Sequence, residues 1–165
     1  MENLLFDWKE LKLEGSFKAD GLIILSAVPT ASEAACREGQ QPSSRVHRRS
    51  QRTLADLPGC GQRVKLLVQV RRFFCLHQAC RRRLFTELLP AGMARYARRT
   101  LRQQQAVETM GLALGGRAGP RAASRLGFDL SADPWLRRVR SVPDPQAIRV
   151  RVLGGDDFAF RRGQR

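Results

Sequence analysis

Three cysteines in the first half of the chain have the spacing of zinc ligands. Cys75 and Cys80 form a C-x4-C pair after the alternating stretch LLVQVRRFF, and Cys36 lies upstream in CREGQQPSSRVHRR. A zinc β-ribbon closes a tetrahedron with four N or S ligands, usually from two short-spaced pairs, because one pair cannot surround the ion. Gly39 stands where the first pair needs its second cysteine. The spacing therefore predicts a zinc site of Cys36, Cys75 and Cys80, with the expected fourth ligand replaced by Gly39.

Three other side chains are candidates for the missing ligand: Cys60, His47 and His77. A histidine in a basic segment is more often a surface residue than a ligand. All three side chains nevertheless remain alternatives for the fourth ligand. Metal binding contributes on the order of 10 kcal/mol to the folding of an intact small zinc unit. With one ligand missing, we expect the affinity for zinc to fall steeply. A water as fourth ligand would resemble a catalytic zinc, but no general base is arranged beside it.

A second pair of candidate metal ligands, Asp156 and Asp157, lies near the end of the chain in GGDDFAFRRGQR. A proline-broken linker, SVPDPQAI, precedes them, and a strand is predicted from Ile148 to Leu153. Carboxylates are the ligands that Mg²⁺ prefers. Read alone, however, an Asp-Asp at the end of a strand is more often a turn than a metal site.

The elements that must position the cysteines are predicted to be strands. Residues 1–35 contain two strand-like runs, LKLEGSF and GLIILSAVP, around the polar turn KAD. Residues 36–90 form the ribbon, with two strands joined by a Gly-rich turn and with Phe73 and Phe74 covering the metal. The second strand alternates with a period of two. Its predicted buried face is Val64, Leu66, Val68 and Val70, and its predicted solvent face is Lys65, Gln69 and Arg71.

Residues 95–142 contain three helical patterns and glycine turns, the arrangement of a helix-turn-helix. In that plan the second helix of the pair enters the major groove of DNA, and the last helix here carries Arg137, Arg138 and Arg140. An ordinary solvated basic face is the alternative. The predicted helices are Tyr96 to Leu114, ended by Gly115-Gly116; Pro120 to Leu126, followed by a turn at Gly127; and Pro134 to Arg140, capped by Ser131 or Asp133. The predicted core is Ala122, Ala123, Leu126, Phe128, Leu136 and Val139.

The composition indicates a partner of negative charge. The 165 residues carry a formal net charge of +15, and arginine supplies 26 of the 30 basic residues. Residues 1–35 are net acidic, so the positive charge lies in residues 36–165. Guanidinium groups suit phosphate oxygens and guanine edges, although a host with arginine-biased codon usage would also raise the ratio of arginine to lysine.

The longest apolar run, Leu22 to Val28, is too short to span a bilayer, and no leader is evident. We expect a cytoplasmic chain with no membrane partner, whose four cysteines serve as metal ligands or free thiols.

The ribbon segment resembles the N-terminal zinc finger of the ISL-three family of bacterial insertion-sequence transposases. Members typically read C-x2-C-G-x2-S-x-R-V-H, then R-x-L-x-D-L-P, then V-R-R-F-F-C-x4-C-x-R-x-x-F-x-E. The positions that match are Arg45, Val46, His47, Asp56, Leu57, Pro58, Arg71 to Cys75, Cys80, Phe85 and Glu87. Gly39 departs from the pattern, and Pro134 stands where the family usually has threonine.

The resemblance implies a small α+β chain of several modules: a β lead-in (1–35), a zinc-ribbon-like finger (36–90), a helix-turn-helix (95–142), and a linker with the first strand of an RNase-H-like domain (143–165). It implies that Asp156 is the first carboxylate of the DDE set, which holds two Mg²⁺ ions in the full-length family. The other two carboxylates are missing before Arg165, so we expect a truncated chain that does not catalyse transposition alone. We expect Arg71, Arg72, Arg137, Arg138 and Arg140 to contact DNA.

The predicted function is thus that of a DNA-binding N-terminal fragment of a DDE transposase, which recognises the terminal inverted repeats of its element on double-stranded DNA. One alternative is a non-enzymatic repressor that competes with full-length transposase. The other is an inert product of a decayed gene, which Gly39 and Pro134 would favour.

Overall fold

The computed structural model describes residues 8–143, which form a five-stranded mixed β-sheet, a small two-stranded sheet and a helical layer against the larger sheet. The predicted small α+β fold is confirmed, whereas the strand at Ile148 to Leu153 and the Asp156-Asp157 pair lie outside the described residues.

A kink at Gly115 (φ 70°, ψ −169°) divides the first helix, so the described part has three helical segments, as predicted. The elements are β1 (Leu11–Ala19), β2 (Leu22–Pro29), β3 (Ala34–Ala35), β4 (Pro42–Ser43), β5 (Val46–Gly59), β6 (Gln62–Phe74), β7 (Leu84–Thr86), α1 (Leu101–Arg125) and α2 (Ala132–Arg140).

The main sheet has the strand order β1-β2-β6-β5, with β7 pairing to β6. Two-residue turns with positive φ close both hairpins: Asp20-Gly21 joins β1 to β2, and Cys60-Gly61 joins β5 to β6. Such turns match the right-handed twist of the strands they connect. Strand β2 then runs parallel to β6, with Leu22 opposite Arg63. The predicted lead-in and the predicted ribbon therefore share one sheet.

Strand β6 contributes to two separate cores. Val64, Leu66 and Val68 are buried as predicted, in a core completed by β1, β2 and β5. The alternation changes phase at Val70 and Arg71, which are both buried. Beyond that point Phe73 enters a second core, which contains Cys36, Cys80 and Phe85. The prediction that Arg71 faces solvent is wrong, because β7 and the residues that follow it cover that face of the strand.

Helix α1 begins at Leu101, five residues later than predicted. The preceding residues are extended because they bond to the edge of β5: the Ala55 N–H donates to the Arg98 carbonyl at 2.9 Å, and the Thr100 N–H donates to the Ala55 carbonyl at 3.0 Å. The Thr100 hydroxyl then accepts from the Gln103 N–H at 3.4 Å and caps the helix. Edge pairing of the backbone thus competes with helix formation and sets the start of α1.

The helical layer has its own core around Trp135, which is fully buried. Helical geometry resumes directly after Gly115, so Pro120 lies inside the second segment and does not begin it. Ala123 and Phe128 are buried as predicted, whereas Leu126 is 54% exposed and is not a core residue. The described helices include none that is long and apolar enough to cross a membrane.

The helical layer is attached to the sheet through Asp56, a carboxylate on β5 that is 1% exposed. It accepts hydrogen bonds from the Thr100 hydroxyl at 2.6 Å and from Arg102 Nε at 2.7 Å. At the other end of the interface, Gly127 (φ 90°) lies against the backbone of Gly61, where an added Cβ would be 2.8 Å from the carbonyl oxygen. These contacts fix α1 and the turn before α2 against the β5–β6 hairpin.

Candidate metal centre and nucleic-acid interface

Two tight backbone turns bring the three predicted thiols together. The short pair β3–β4 closes the first turn, in which the Gln40 N–H donates to the Cys36 carbonyl at 2.8 Å. The second turn follows β6, where the Cys75 N–H donates to the Arg83 carbonyl at 2.9 Å and the Cys80 N–H donates to the His77 carbonyl at 3.1 Å. Main-chain hydrogen bonds therefore fix the conformation of each turn. The first turn places the Cys36 sulfur close to the sulfurs of Cys75 and Cys80 in the second turn.

The sulfur atoms of Cys36, Cys75 and Cys80 all lie within 4.8 Å of one another. The Cys36 and Cys80 sulfurs are 4.0 Å apart, close to the separation of about 3.8 Å that Zn–S bonds of about 2.3 Å impose in a tetrahedron. All four cysteines of the chain are free thiols. Cys36 and Cys80 are buried beside Phe73 and Phe85, whose rings stack at 5.7 Å. These residues fit a structural zinc ion, and three of its ligands are in place.

Gly39 lies at the position of the fourth ligand. Its N–H donates to the Cys36 sulfur at 3.4 Å. A Cβ at Gly39 would be 2.9 Å from the Cys75 sulfur and 3.4 Å from Cys80 Cβ, so a side chain there would point into the thiol cluster. The structure thus explains why a cysteine at residue 39 would complete the tetrahedron.

The surroundings of Cys36 and Cys75 shift the pKa values of these two thiols in opposite directions. The Gly39 N–H, which stabilises a thiolate, lowers the pKa of Cys36 below its ordinary value despite the burial of this residue. Burial raises the pKa of Cys75. The thiolate is the form that binds metal, so the lowered pKa of Cys36 is consistent with its role as a ligand.

Arg71 was predicted to contact DNA, but the structure places it inside the protein. Its Nε and Nη2 atoms donate to the two carboxylate oxygens of Glu87 at 3.1 and 2.6 Å, and Nη2 also donates to the Ala31 carbonyl at 2.8 Å. The arginine side chain is 10% exposed. Arg71 therefore holds β6, the segment after β7 and the connection before β3 together, and we remove it from the DNA-contacting set.

Arg72, the neighbouring residue, is exposed and belongs to a basic surface on the ribbon, which we define as Arg45, Arg48 and Arg72. Arg48 and Arg72 are directly opposite each other on antiparallel strands. Like charges in that position destabilise a sheet. Arg45 lies 4.7 Å over the ring of Phe74, and His47 meets the same ring edge-on at 5.0 Å. Phe74 thus supports the basic surface, and of the two phenylalanines predicted to cover the metal it is Phe73 that packs in the thiol cluster.

The three arginines predicted on the last helix differ in their surroundings. Arg137 and Arg140 are exposed. Arg138 forms an ion pair with Glu108 of α1, which reduces the charge it presents to solvent. Arg137 and Arg138 also line a groove of about 400 Å³ between the start of α1 and α2, and Arg98 and Arg99 line its other side. The arginines predicted to contact DNA, apart from Arg71, thus lie on the ribbon surface and on α2.

Sequence reasoning missed the structural roles of Asp56 and Glu87. Both were noted as matches to the family pattern, and both prove to be buried carboxylates that receive an arginine. The available signal was an acidic residue inside a strand, Asp56, and one directly after a strand, Glu87, in a strongly basic chain. Trp135 was also missed, although it is the largest fully buried side chain.

A mixed sheet that ends in two turns carrying a thiol cluster, followed by helices, defines a zinc-ribbon type of finger. Residues 33–80 match the family model described as the zinc-finger of transposase IS204/IS1001/IS1096/IS1165. This match confirms the predicted resemblance for the finger, and it covers all three thiols. No curated protein and no solved structure matches the chain.

Proposed function

We propose that this chain is a DNA-binding region of a transposase and that it recognises the terminal inverted repeats of an insertion sequence. The observation that carries the proposal is the match of residues 33–80 to a transposase zinc finger, at the positions where three thiols converge. The basic surface on the ribbon supports it, because Arg48 and Arg72 are directly opposite each other on neighbouring strands. Phosphate oxygens would relieve that repulsion.

In this proposal the two basic regions have different tasks. The segments around Gly127 act as a helix-turn-helix, with α2 entering the major groove. Arg137 and Arg140 are three residues apart, on one helical face, and would reach base edges. Arg45, Arg48 and Arg72 would hold phosphates, which fixes the position of the protein on the duplex without reading sequence.

Zinc has a structural task in this proposal. When bound, the ion holds the turn at Cys36 against the turn that contains Cys75 and Cys80. The basic surface begins at Arg45, between these two turns in sequence, so their fixed separation supports the start of β5. Mg²⁺ belongs to the catalytic domain of the family that the sequence resembles, and no described residue is assigned to it.

We also propose that the 165 residues bind DNA without cutting it by themselves. Phosphoryl transfer by two metal ions needs several carboxylates in one site. Asp156 is the one residue that the resemblance assigns to such a set. In the described part of the chain, Asp56 and Glu87 are engaged by arginines inside the fold.

The test is fluorescence anisotropy with a duplex that carries the inverted repeat flanking the coding sequence, beside a scrambled duplex. We expect tighter binding to the repeat and a log–log salt slope of about −5 if six phosphates are contacted. The double variant Arg137→Ala/Arg140→Ala should lose the preference, whereas Arg48→Ala/Arg72→Ala should reduce the slope by about 2 and keep the preference. The control is Lys12→Ala/Lys18→Ala on β1, which should bind as the parent does. Equal binding to both duplexes would contradict terminal-repeat recognition.

A further inference from the structure

We propose that His77 supplies the fourth zinc ligand, so that the finger is a Cys3His site. The inference rests on the zinc finger of the proposed function and names the ligand that replaces the cysteine expected at residue 39. Zinc accepts imidazole nitrogen in place of one thiolate, and Cys3His is an established ligand set for structural sites.

His77 adjoins the corner of the tetrahedron that a side chain at residue 39 would fill. A Cβ built on Gly39 would lie 3.1 Å from His77 Cβ and 2.9 Å from the Cys75 sulfur. The glycine therefore leaves space between the thiols and the base of the histidine side chain. A larger residue at position 39 would obstruct the ring, whereas glycine admits it.

The backbone of His77 is already part of the second turn. Its carbonyl accepts the Cys80 N–H at 3.1 Å, and its N–H donates to the Cys75 sulfur. The imidazole is exposed, and within residues 8–143 it makes no hydrogen bond that would hold it away from the thiols. In the described geometry it is not among the groups that converge, so the proposed binding requires the His77 side chain to rotate. Exposed side chains change rotamer readily, and in the proposed site this rotation would bring a ring nitrogen to the zinc distance of about 2.0–2.1 Å.

The other two candidates are in the wrong places. The His47 ring is packed against the ring of Phe74, and it belongs to the basic surface. Cys60 is exposed in the β5–β6 turn, and the 13 residues of β6 separate it from Cys75. At about 3.3 Å per residue, that strand spans roughly 40 Å. Among the three, His77 is the side chain that adjoins the cluster.

X-ray absorption at the zinc K-edge of the full chain, loaded with zinc, tests the assignment. We expect three sulfurs at about 2.3 Å, one nitrogen at about 2.0–2.1 Å, and the outer-shell scattering of an imidazole ring. In His77→Ala the imidazole scattering should disappear, and the dissociation constant for zinc should rise at least about tenfold, since even indirect partners of a metal site have effects of that size. His47→Ala and Cys60→Ser are the controls and should leave both measurements unchanged.

Adding Gly39→Cys to His77→Ala should restore tight binding, because a fourth thiolate would occupy the same corner. A parent spectrum with three sulfurs and an oxygen but no imidazole scattering would overturn the assignment, and so would unchanged zinc affinity in His77→Ala. Chain that binds no zinc at all would contradict both this site and the proposed zinc finger. Binding to the repeat duplex, measured on the same preparations, reports on the DNA-binding proposal independently.

Discussion

At the scale of single residues, Glu87 determines what Arg71 does. Its two oxygens receive the guanidinium inside the protein, and the same arginine reaches the Ala31 carbonyl on another segment. Within residues 8–143, Arg72 has no such carboxylate partner and is exposed at the surface. Two adjacent arginines in one motif therefore serve the fold and the proposed DNA contact, respectively, because one strand places them on opposite faces.

Replacing Glu87 with glutamine should destabilise the protein strongly. The change leaves the buried Arg71 charge without a counterion, which costs about 3–5 kcal/mol in the free energy of unfolding. The matched control is Glu38→Gln, because Glu38 pairs with Arg82 at 2.6 Å but both side chains are about half exposed. That change should cost at most about 1 kcal/mol. Urea unfolding of the two variants and the parent makes the comparison, and equal losses would contradict the role given to Glu87.

Replacing Cys36 with serine should abolish zinc binding. The variant removes the thiol that bridges the first turn to Cys80, whose sulfur is 4.0 Å away, and leaves two thiols in place. Native mass spectrometry should find zinc on the parent and on Cys60→Ser, the exposed control, but not on Cys36→Ser. Zinc retained by Cys36→Ser would mean that the ion is bound elsewhere.

At the scale of elements, the attachment of α1 to β5 sets the position of the helical layer. The Thr100 hydroxyl both caps the helix and donates to Asp56, and Arg102 in the first turn donates to the same carboxylate. The start of the helix and its attachment to the sheet thus depend on one buried acid.

Asp56→Asn should loosen this attachment. Loss of the charge weakens the hydrogen bonds from Thr100 and Arg102, and we expect a loss of about 2 kcal/mol in the free energy of unfolding. Hydrogen exchange should accelerate in the first turns of α1. Asp129→Asn is the control, since its 3.8 Å ion pair with Arg63 is exposed and contributes at most about 1 kcal/mol. Unchanged exchange at residues 101–105 would contradict the attachment.

Gly119→Ala should disrupt the packing of α2 on α1. A Cβ at this position would collide with the ring of Trp135, which is fully buried. Overpacking of this kind costs about 1–3 kcal/mol. Ala118→Ser, a change of similar size on the exposed face, should be near neutral in thermal unfolding. Equal melting temperatures for the two variants would show that Trp135 can move.

These elements also show what the sequence could predict. The alternation of Val64, Leu66 and Val68 identified β6, because one apolar core covers that length of the strand. The burial of Arg71 could not be predicted, because it depends on a contact with Glu87, which lies 16 residues later in the sequence. The start of α1 was likewise missed, because pairing of Arg98 and Thr100 with β5 is a tertiary contact. Cys36, Cys75 and Cys80 were found because metal chemistry restricts the spacing of ligands.

At the scale of the whole molecule, the metal cluster and the main apolar core are separate. The main core joins Leu11, Leu25, Leu54 and Leu66, whereas the thiols pack with Phe73 and Phe85. The zinc site therefore stabilises one end of the sheet, and the other end has apolar burial of its own.

Removal of zinc by a chelator should unfold the finger locally. Hydrogen-exchange protection should be lost around residues 36–41 and 75–80, while β2, α1 and the centre of β6 stay protected by their own cores. Circular dichroism at 222 nm should change little. A cooperative loss of all protection would show instead that the two cores fold as one unit, with zinc as its main source of stability.

The parallel pairing of β2 with β6 has a consequence for synthesis of the chain. Leu22 pairs with Arg63, so the first hairpin leaves the ribosome about forty residues before its partner strand. At a synthesis rate of roughly 5–20 residues per second, the edge of β2 that pairs with β6 stays unpaired for about 2–8 s. An isolated two-stranded hairpin is marginally stable in water. The strands that are made first are therefore among the last to reach their native neighbours, and the nascent chain is most exposed to aggregation during that interval.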